Sequence, residues 1–128
     1  MMYIQESSQY LTFRPATLND LPLLNRLMRE GKGYWGYPEE GLDRFMKTFG
    51  IRDETYFEKG FGFIAESSQD VIGHYLFKTN ETPPMLDHFF LETKFIGQGY
   101  GRLLWEHCID QAKQKGWEDL PFGPIPIP

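Results

Sequence analysis

The spacing of apolar residues divides the first half of the chain into one extended and two helical segments. Apolar and polar residues alternate over 10–14, which predicts a strand. Apolar residues three and four positions apart then predict a helix. Asn19 or Asp20 is its predicted N-cap, and the glycines of 31–33 are predicted to end it. A second helix is predicted over 39–49, where two glutamates start the segment and Gly follows it.

The second half of the chain changes to the period of strands. Strands are predicted over 61–66, 71–77 and 85–91, and the polar segment 67–70 predicts a hairpin turn between the first two. One long helix follows and ends at Gly116. The order strand, helix, helix, three strands, helix predicts an α+β fold, in which helices pack on an antiparallel meander.

Composition and charge exclude several classes of protein. The 128 residues suffice for one domain, and the net charge of −5 disfavours nucleic-acid binding. Cys108 is the only cysteine, so no intrachain disulfide is possible, and neither His74 nor His107 has the spacing of a metal ligand. No apolar run has the length of a membrane span and the N-terminus does not resemble a signal peptide, so no membrane contact and a cytoplasmic location are expected.

A glycine-rich run lies between the last strand and the last helix. Gly97, Gly99 and Gly101 allow positive φ and a close approach of backbone to a ligand. The N–H groups at the start of the helix add a partial positive charge, so the run is typical of a pyrophosphate cradle, to which Arg102 could add one contact. The alternative is a loop whose glycines serve tight packing. A dinucleotide fold and a P-loop do not fit, because the run comes late and lacks Gly-Lys-Ser/Thr.

The run over 91–104, Leu-Glu-Thr-Lys-Phe-Ile-Gly-Gln-Gly-Tyr-Gly-Arg-Leu-Leu, resembles the acetyl-CoA signature of the GNAT superfamily of N-acetyltransferases. The segments 13–17 and 19–22 are similar to the opening strand and first helix of that family. The resemblance covers about 10–117, with Ile96 at a position that is usually Gln or Arg. It implies a mostly antiparallel central sheet flanked by helices, and transfer of an acetyl group from acetyl-CoA to the amine of a small molecule or peptide, without a metal.

The same resemblance implies roles for individual positions. The backbone at the end of the last strand would pair with the pantetheine arm, and the glycine-rich run would hold the pyrophosphate. The residues so implied for the cofactor are Phe90, Leu91, Gly97, Gln98, Gly99, Tyr100, Gly101 and Arg102. The acceptor would lie near Tyr34, Trp35 and Tyr37, for which packing between the two helices is the alternative.

Three residues on or beside the last strand are candidates for the base that acyl transfer to an amine requires. They are Asp87, His88 and Glu92. Strand alternation places Asp87 on the face of Phe89 and Leu91, with His88 on the opposite face. The alternative is that Asp87 and His88 make hydrogen bonds within the sheet. Glu92 is expected in solvent at the end of the strand.

The last residues, 118–128, differ from the family pattern. Four prolines in the last eight residues are incompatible with an internal strand or a helix. This predicts that the strand, helix and final strands that usually complete the family's fold are missing, through truncation or a frameshift. The exposed edge would then favour a homo-oligomer. The alternative function is an inactive domain that binds CoA weakly or acts only through association.

Overall fold

An antiparallel sheet and three α-helices form most of the described part of the chain. The computed structural model describes residues 2–4, 10–34, 36, 38–49, 60–68, 70–79, 84–117, 119–120 and 123–124. The five strands of the sheet follow one another in chain order: β1 (Met2–Ile4), β2 (Tyr10–Pro15), β3 (Gly60–Ser67), β4 (Asp70–Lys78) and β5 (Met85–Leu91). The helices are α1 (Leu21–Tyr34), α2 (Glu39–Phe49) and α3 (Tyr100–Gln114).

The predicted α+β order is confirmed, and the sheet is an antiparallel meander. Each strand pairs with its sequence neighbour, and β5 has the predicted bounds. Ser68 takes a positive φ of 57° in the turn between β3 and β4. The sequence did not predict β1, because three residues in a polar segment carry no alternation that could be recognised.

The alternation of side chains along the strands gives the sheet two apolar faces. Tyr75 and Phe77 face α3 and pack with Leu104 and Cys108, whereas Leu76 packs with Leu24 of α1 on the other face. Full burial of a side chain such as Leu104 or Leu24 contributes about 1.5–3 kcal/mol. Cys108 is a packing residue in this core, and burial raises the pKa of its thiol to about 12.

Helix α1 differs from the prediction at both ends. It continues through the glycines of 31–33 to Tyr34, because Gly31 allows the helix to lie directly on β5: a Cβ there would come within 2.5 Å of Phe90 Cδ1. At its start, a short 3-10 turn (Leu18–Asp20) precedes the helix. The Asp20 carboxylate accepts hydrogen bonds from the backbone N–H of Thr17 and from Arg14, so the cap lies one turn earlier than the sequence predicted.

The described residues of the tail form a separate two-stranded ladder. Residues of β6 (Asp119–Leu120) pair antiparallel with those of β7 (Gly123–Pro124), and neither strand joins the main sheet. The three described helices, α1, α2 and α3, all lack the length and apolarity that crossing a bilayer requires.

Candidate active site

The glycine-rich run forms a turn that leads from β5 into α3. A 3-10 turn (Thr93–Phe95) follows the strand, and Gly97 and Gly99 then take φ values of 86° and 89°. These are left-handed conformations that a side chain would strain. Gly99 is the N-cap of α3, and the helix begins at Tyr100. The alternation of glycines is therefore required by the backbone path.

Side-chain contacts with the rest of the protein hold the glycine-rich turn in place, and its other side is open to solvent. The ring of Tyr100 is buried and meets Phe95 edge-on, with ring centroids 5.6 Å apart. The side chain of Gln98 folds back, and its Nε2 donates to the carbonyl of Lys94 at 3.1 Å. Residues 97–99 are exposed. An anchored turn of this kind keeps its shape without a ligand, which lowers the entropic cost of binding.

The exposed side of the turn suits an anion. Gly99 has no side chain that could cap the helix, so the first N–H groups of α3 are left to a ligand or solvent. No atom of the described residues lies within 4 Å of the position that a Cβ on Gly97 would take. This combination of free donors, helix dipole and open space fits a phosphate group. Arg102 instead forms an exposed ion pair with Glu106, at 3.0 Å.

Strand β5 presents a backbone edge next to the turn. Among the described residues β5 pairs with β4 alone, through His74 opposite Phe90 and Gly73 opposite Leu91. A Cβ on Gly73 would clash with the Phe90 carbonyl oxygen, so this glycine allows the two strands to lie close. The outer edge at Phe90 and Leu91 can therefore accept an extended ligand as a further strand.

A β-bulge lies in the middle of β5. The ladder pairs Leu76 with His88 and Phe77 with Leu86, which leaves Asp87 as the extra residue. The bulge breaks simple alternation: the Asp87 carboxylate comes within 3.7 Å of His88 Nε2. The sequence prediction that these two side chains lie on opposite faces is therefore wrong, because a bulge places consecutive side chains on one side.

A second histidine, which the sequence prediction did not include in the site, lies beside His88. Its Nε2 is 3.3 Å from the Nδ1 of His88, and both rings are buried, His74 completely. Burial lowers the pKa of His88 to about 4 and the pKa of His74 well below its ordinary value. The clue in the sequence was that both histidines fall on strands predicted to be neighbours, although their register was unknown.

Glu92 takes part in a salt bridge at the end of β5. Its two carboxylate oxygens accept hydrogen bonds from Arg26 of α1 at 3.1 and 3.0 Å, and its side chain is only 14% exposed. The hydrogen bonds from Arg26 lower the pKa of Glu92. The expectation that Glu92 lies in solvent is therefore wrong. It joins α1 to β5, and it is a poor base because its charge is already stabilised.

The predicted acceptor region lies at the end of α1. Tyr34 is 52% exposed, so it does not fill a core between the helices. Trp35 and Tyr37 lie outside the described residues. Arg29 links the two helices through ion pairs with Glu39 at 2.8 Å and Asp43 at 2.9 Å. Within the described ranges no three acidic, histidine or cysteine side chains gather as a metal site would require.

Comparison of the sequence with models of known protein families identifies one matching family. The model of the acetyltransferase (GNAT) family matches residues 22–120, which is most of the chain and includes the glycine-rich turn, α2, α3 and all but the first residue of α1. No curated protein matches the sequence.

Solved structures share the fold at low sequence identity. The PaiA N-acetyltransferase of Thermoplasma acidophilum, solved with coenzyme A, has a TM-score of 0.71 at 18% identity, covering 86% of this chain and 76% of that one. A GCN5-related N-acetyltransferase from Ralstonia eutropha JMP134 has a TM-score of 0.68 at 12% identity, with coverage of 86% and 80%. A GNAT family acetyltransferase from Elizabethkingia anophelis, solved with acetyl-CoA, has a TM-score of 0.59 at 22% identity, with coverage of 86% and 62%.

Proposed function

Because the chain belongs to the acetyltransferase (GNAT) family, we propose that it is an N-acetyltransferase that moves the acetyl group of acetyl-CoA to an amine of a small molecule or peptide. The observation that carries the proposal is the turn before α3. It presents two glycines in left-handed conformations and a helix N-terminus without a side-chain cap, and it follows β5, whose outer edge pairs with no other described strand. A ligand with an extended arm that is joined to a pyrophosphate, as in acetyl-CoA, matches both parts of this surface.

In the proposed complex the backbone makes most of the contacts. The N–H and C=O groups of Phe90 and Leu91 pair with the pantetheine arm, and the N–H groups from Gly97 to Arg102 hold the pyrophosphate. Backbone donors require no basic side chains, which agrees with the acidic chain and with an Arg102 that is paired with Glu106. We propose that the amine acceptor binds near Tyr34, Trp35 and Tyr37.

Bound acetyl-CoA supplies an acetyl thioester, and the protein removes a proton from the amine. The amine nitrogen forms a bond to the acetyl carbon, the C–S bond breaks, and the CoA thiolate leaves. The proton of the amine goes to a base at the bulge of β5, where Asp87 and His88 are adjacent. Glu92 is a weaker candidate because Arg26 already binds its carboxylate.

The proposal is tested by thiol release from acetyl-CoA over a panel of small amines and peptides. With an accepted amine, Asp87→Asn should lower kcat about 10²–10⁴-fold while acetyl-CoA binding is kept, because only proton removal is lost. Asp70→Asn, at an exposed carboxylate in the β3–β4 hairpin, is the matched control and should behave like wild type.

Binding is followed separately by thermal unfolding. Millimolar acetyl-CoA should raise the Tm of the wild type, since a ligand of the native state stabilises it. An unchanged Tm together with no thiol release on any amine would contradict the proposal. A raised Tm without turnover on the whole panel would instead indicate a CoA-binding domain without activity.

A further inference from the structure

Two buried imidazoles on the α1 face of the sheet share one hydrogen bond. His74 Nε2 and His88 Nδ1 are 3.3 Å apart. The other nitrogen of His74, Nδ1, is buried and has no hydrogen-bond partner among the described residues. The other nitrogen of His88, Nε2, lies 3.7 Å from Asp87 Oδ2, which is an electrostatic contact and too long for a hydrogen bond.

Both rings are neutral near pH 7, so each carries a single proton. His74 is 0% exposed and His88 is 3% exposed, and such burial disfavours the charged form of an imidazole. The lowered pKa values of both histidines follow from the same burial. Because a hydrogen bond joins the facing nitrogens, one of them carries a proton and the other accepts it, and which nitrogen carries the proton fixes the tautomer of both rings.

Two arrangements of this proton are possible, and they differ in what they leave buried. If His88 Nδ1 donates, His74 keeps a buried N–H without an acceptor, and the lone pair of His88 Nε2 faces the Asp87 carboxylate. If His74 Nε2 donates, only a lone pair stays buried at His74 Nδ1, and His88 presents an N–H to that carboxylate. An unsatisfied buried donor is rarer than an under-satisfied acceptor, and a lone pair facing an anion is repelled. Both effects favour donation by His74.

We propose that His74 is a positioning residue: it donates from Nε2 to His88 Nδ1 and so holds His88 in the tautomer with its proton on Nε2, facing Asp87. In this tautomer His88 Nε2 has no lone pair for the proton of an amine. His88 instead stabilises the carboxylate of Asp87, whose side chain is 21% exposed at the bulge. The base of the reaction is then Asp87. This last step rests on the proposed function, but the tautomer does not.

The tautomer is measured directly on the ligand-free wild type. Long-range ¹⁵N–¹H NMR correlations distinguish the protonated from the unprotonated ring nitrogen, and the chain has only three histidines. His107→Asn and His74→Gln each remove one set of signals and so assign the third. The expected result at pH 7 is His88 with its proton on Nε2. A proton on Nδ1 of His88, or a doubly protonated His88, would overturn the proposal.

The positioning role is tested by two substitutions at one site. His74→Gln keeps an N–H donor near the position of Nε2, whereas His74→Leu removes it. His74→Leu should release His88 into a mixture of tautomers and lower kcat about ten-fold with the KM for acetyl-CoA unchanged. His74→Gln should keep the wild-type tautomer and most of the activity. Equal loss in both variants, with the wild-type tautomer kept in both, would overturn the positioning role.

His107 supplies the matched control for a purely structural effect. It is also fully buried, but it belongs to α3 and packs on the opposite face of the sheet, where its Nδ1 is 2.7 Å from the Tyr75 hydroxyl. His107→Asn should leave the His88 tautomer and kcat unchanged even if it lowers stability. If the wild type shows no turnover, the NMR result still decides the tautomer, so failure of the proposed function and failure of this inference are distinguishable.

Discussion

At the scale of single residues, the glycines of the turn differ in how strictly the backbone requires them. Gly97 and Gly99 are needed for their positive φ, whereas a Cβ on Gly101 would make only an ordinary contact, 3.4 Å from Leu91 Cδ1. A Cβ on Gly97 would meet no atom of the described residues within 4 Å. An alanine at this position therefore tests the backbone conformation alone.

Gly97→Ala should weaken acetyl-CoA binding about ten-fold, because the left-handed conformation costs a side chain about 1–2 kcal/mol and the turn relaxes away from it. Calorimetric titration gives the Kd. Gly116→Ala is the matched control: Gly116 follows α3, has a φ of 78°, and also has no neighbour within 4 Å among the described residues. Equal effects of the two variants on Kd would show that the turn does not bind the cofactor.

The residues of the site differ in how far the sequence predicted them. The glycine-rich run follows from a local pattern, and its backbone conformations agree with that pattern. The contacts of Asp87 and Glu92 do not follow from a local pattern, because both depend on residues that are distant in the sequence. The bulge that turns Asp87 toward His88 is set by the register with β4, and the partner of Glu92 is a helix residue 66 positions away.

At the scale of elements, the site depends on how α1 is attached to β5. Gly31 brings the helix close to Phe90, and Arg26 binds Glu92 at the end of the strand. The sequence predicted both elements but not their contact, since local spacing carries no information on which helix covers which strand. It also placed the end of α1 at its glycines, although one of them serves the packing on β5.

Arg26→Gln should lower the free energy of unfolding by about 1 kcal/mol, because it leaves the largely buried Glu92 carboxylate without its partner; the 46% exposure of Arg26 limits the loss through solvent screening. Urea unfolding at neutral pH measures it. Glu106→Gln breaks an ion pair with Arg102, which is 76% exposed, and should change stability by less than about 0.5 kcal/mol. Equal losses in both variants would show that the Arg26 contact has no special weight.

At the scale of the whole molecule, three buried histidines link folding to pH. His74, His88 and His107 all have pKa values lowered by burial, to about 4 for the last two, from an ordinary value of 6.5. Between these values the unfolded chain binds protons that the native protein does not. The contribution of the histidines to the stability of the native state is therefore fully present above about pH 6.5 and is lost as the pH falls towards 4.

The free energy of unfolding should fall by up to about 1.4 kcal/mol per pH unit for each histidine as the pH drops below 6.5. Urea unfolding at pH 7, 6 and 5 measures the slope. Asp20 and Glu92, whose pKa values are lowered, lose their contribution to stability only below this pH range. The slope between pH 7 and 5 therefore reports on the histidines. His107→Asn should give a shallower slope, and a free energy that stays constant from pH 7 to 5 would contradict the assignment.

The outer edge of β5, which pairs with no other described strand, has a consequence for how the protein behaves at high concentration. Its row of backbone donors and acceptors at Phe90 and Leu91 can pair with one guest at a time. A strand from a second copy and the pantetheine arm of the cofactor are therefore rivals for the same hydrogen bonds. We expect a high protein concentration to weaken the apparent affinity for acetyl-CoA. We also expect the cofactor to act as a solubilising agent, because it prevents the association of two copies through this edge.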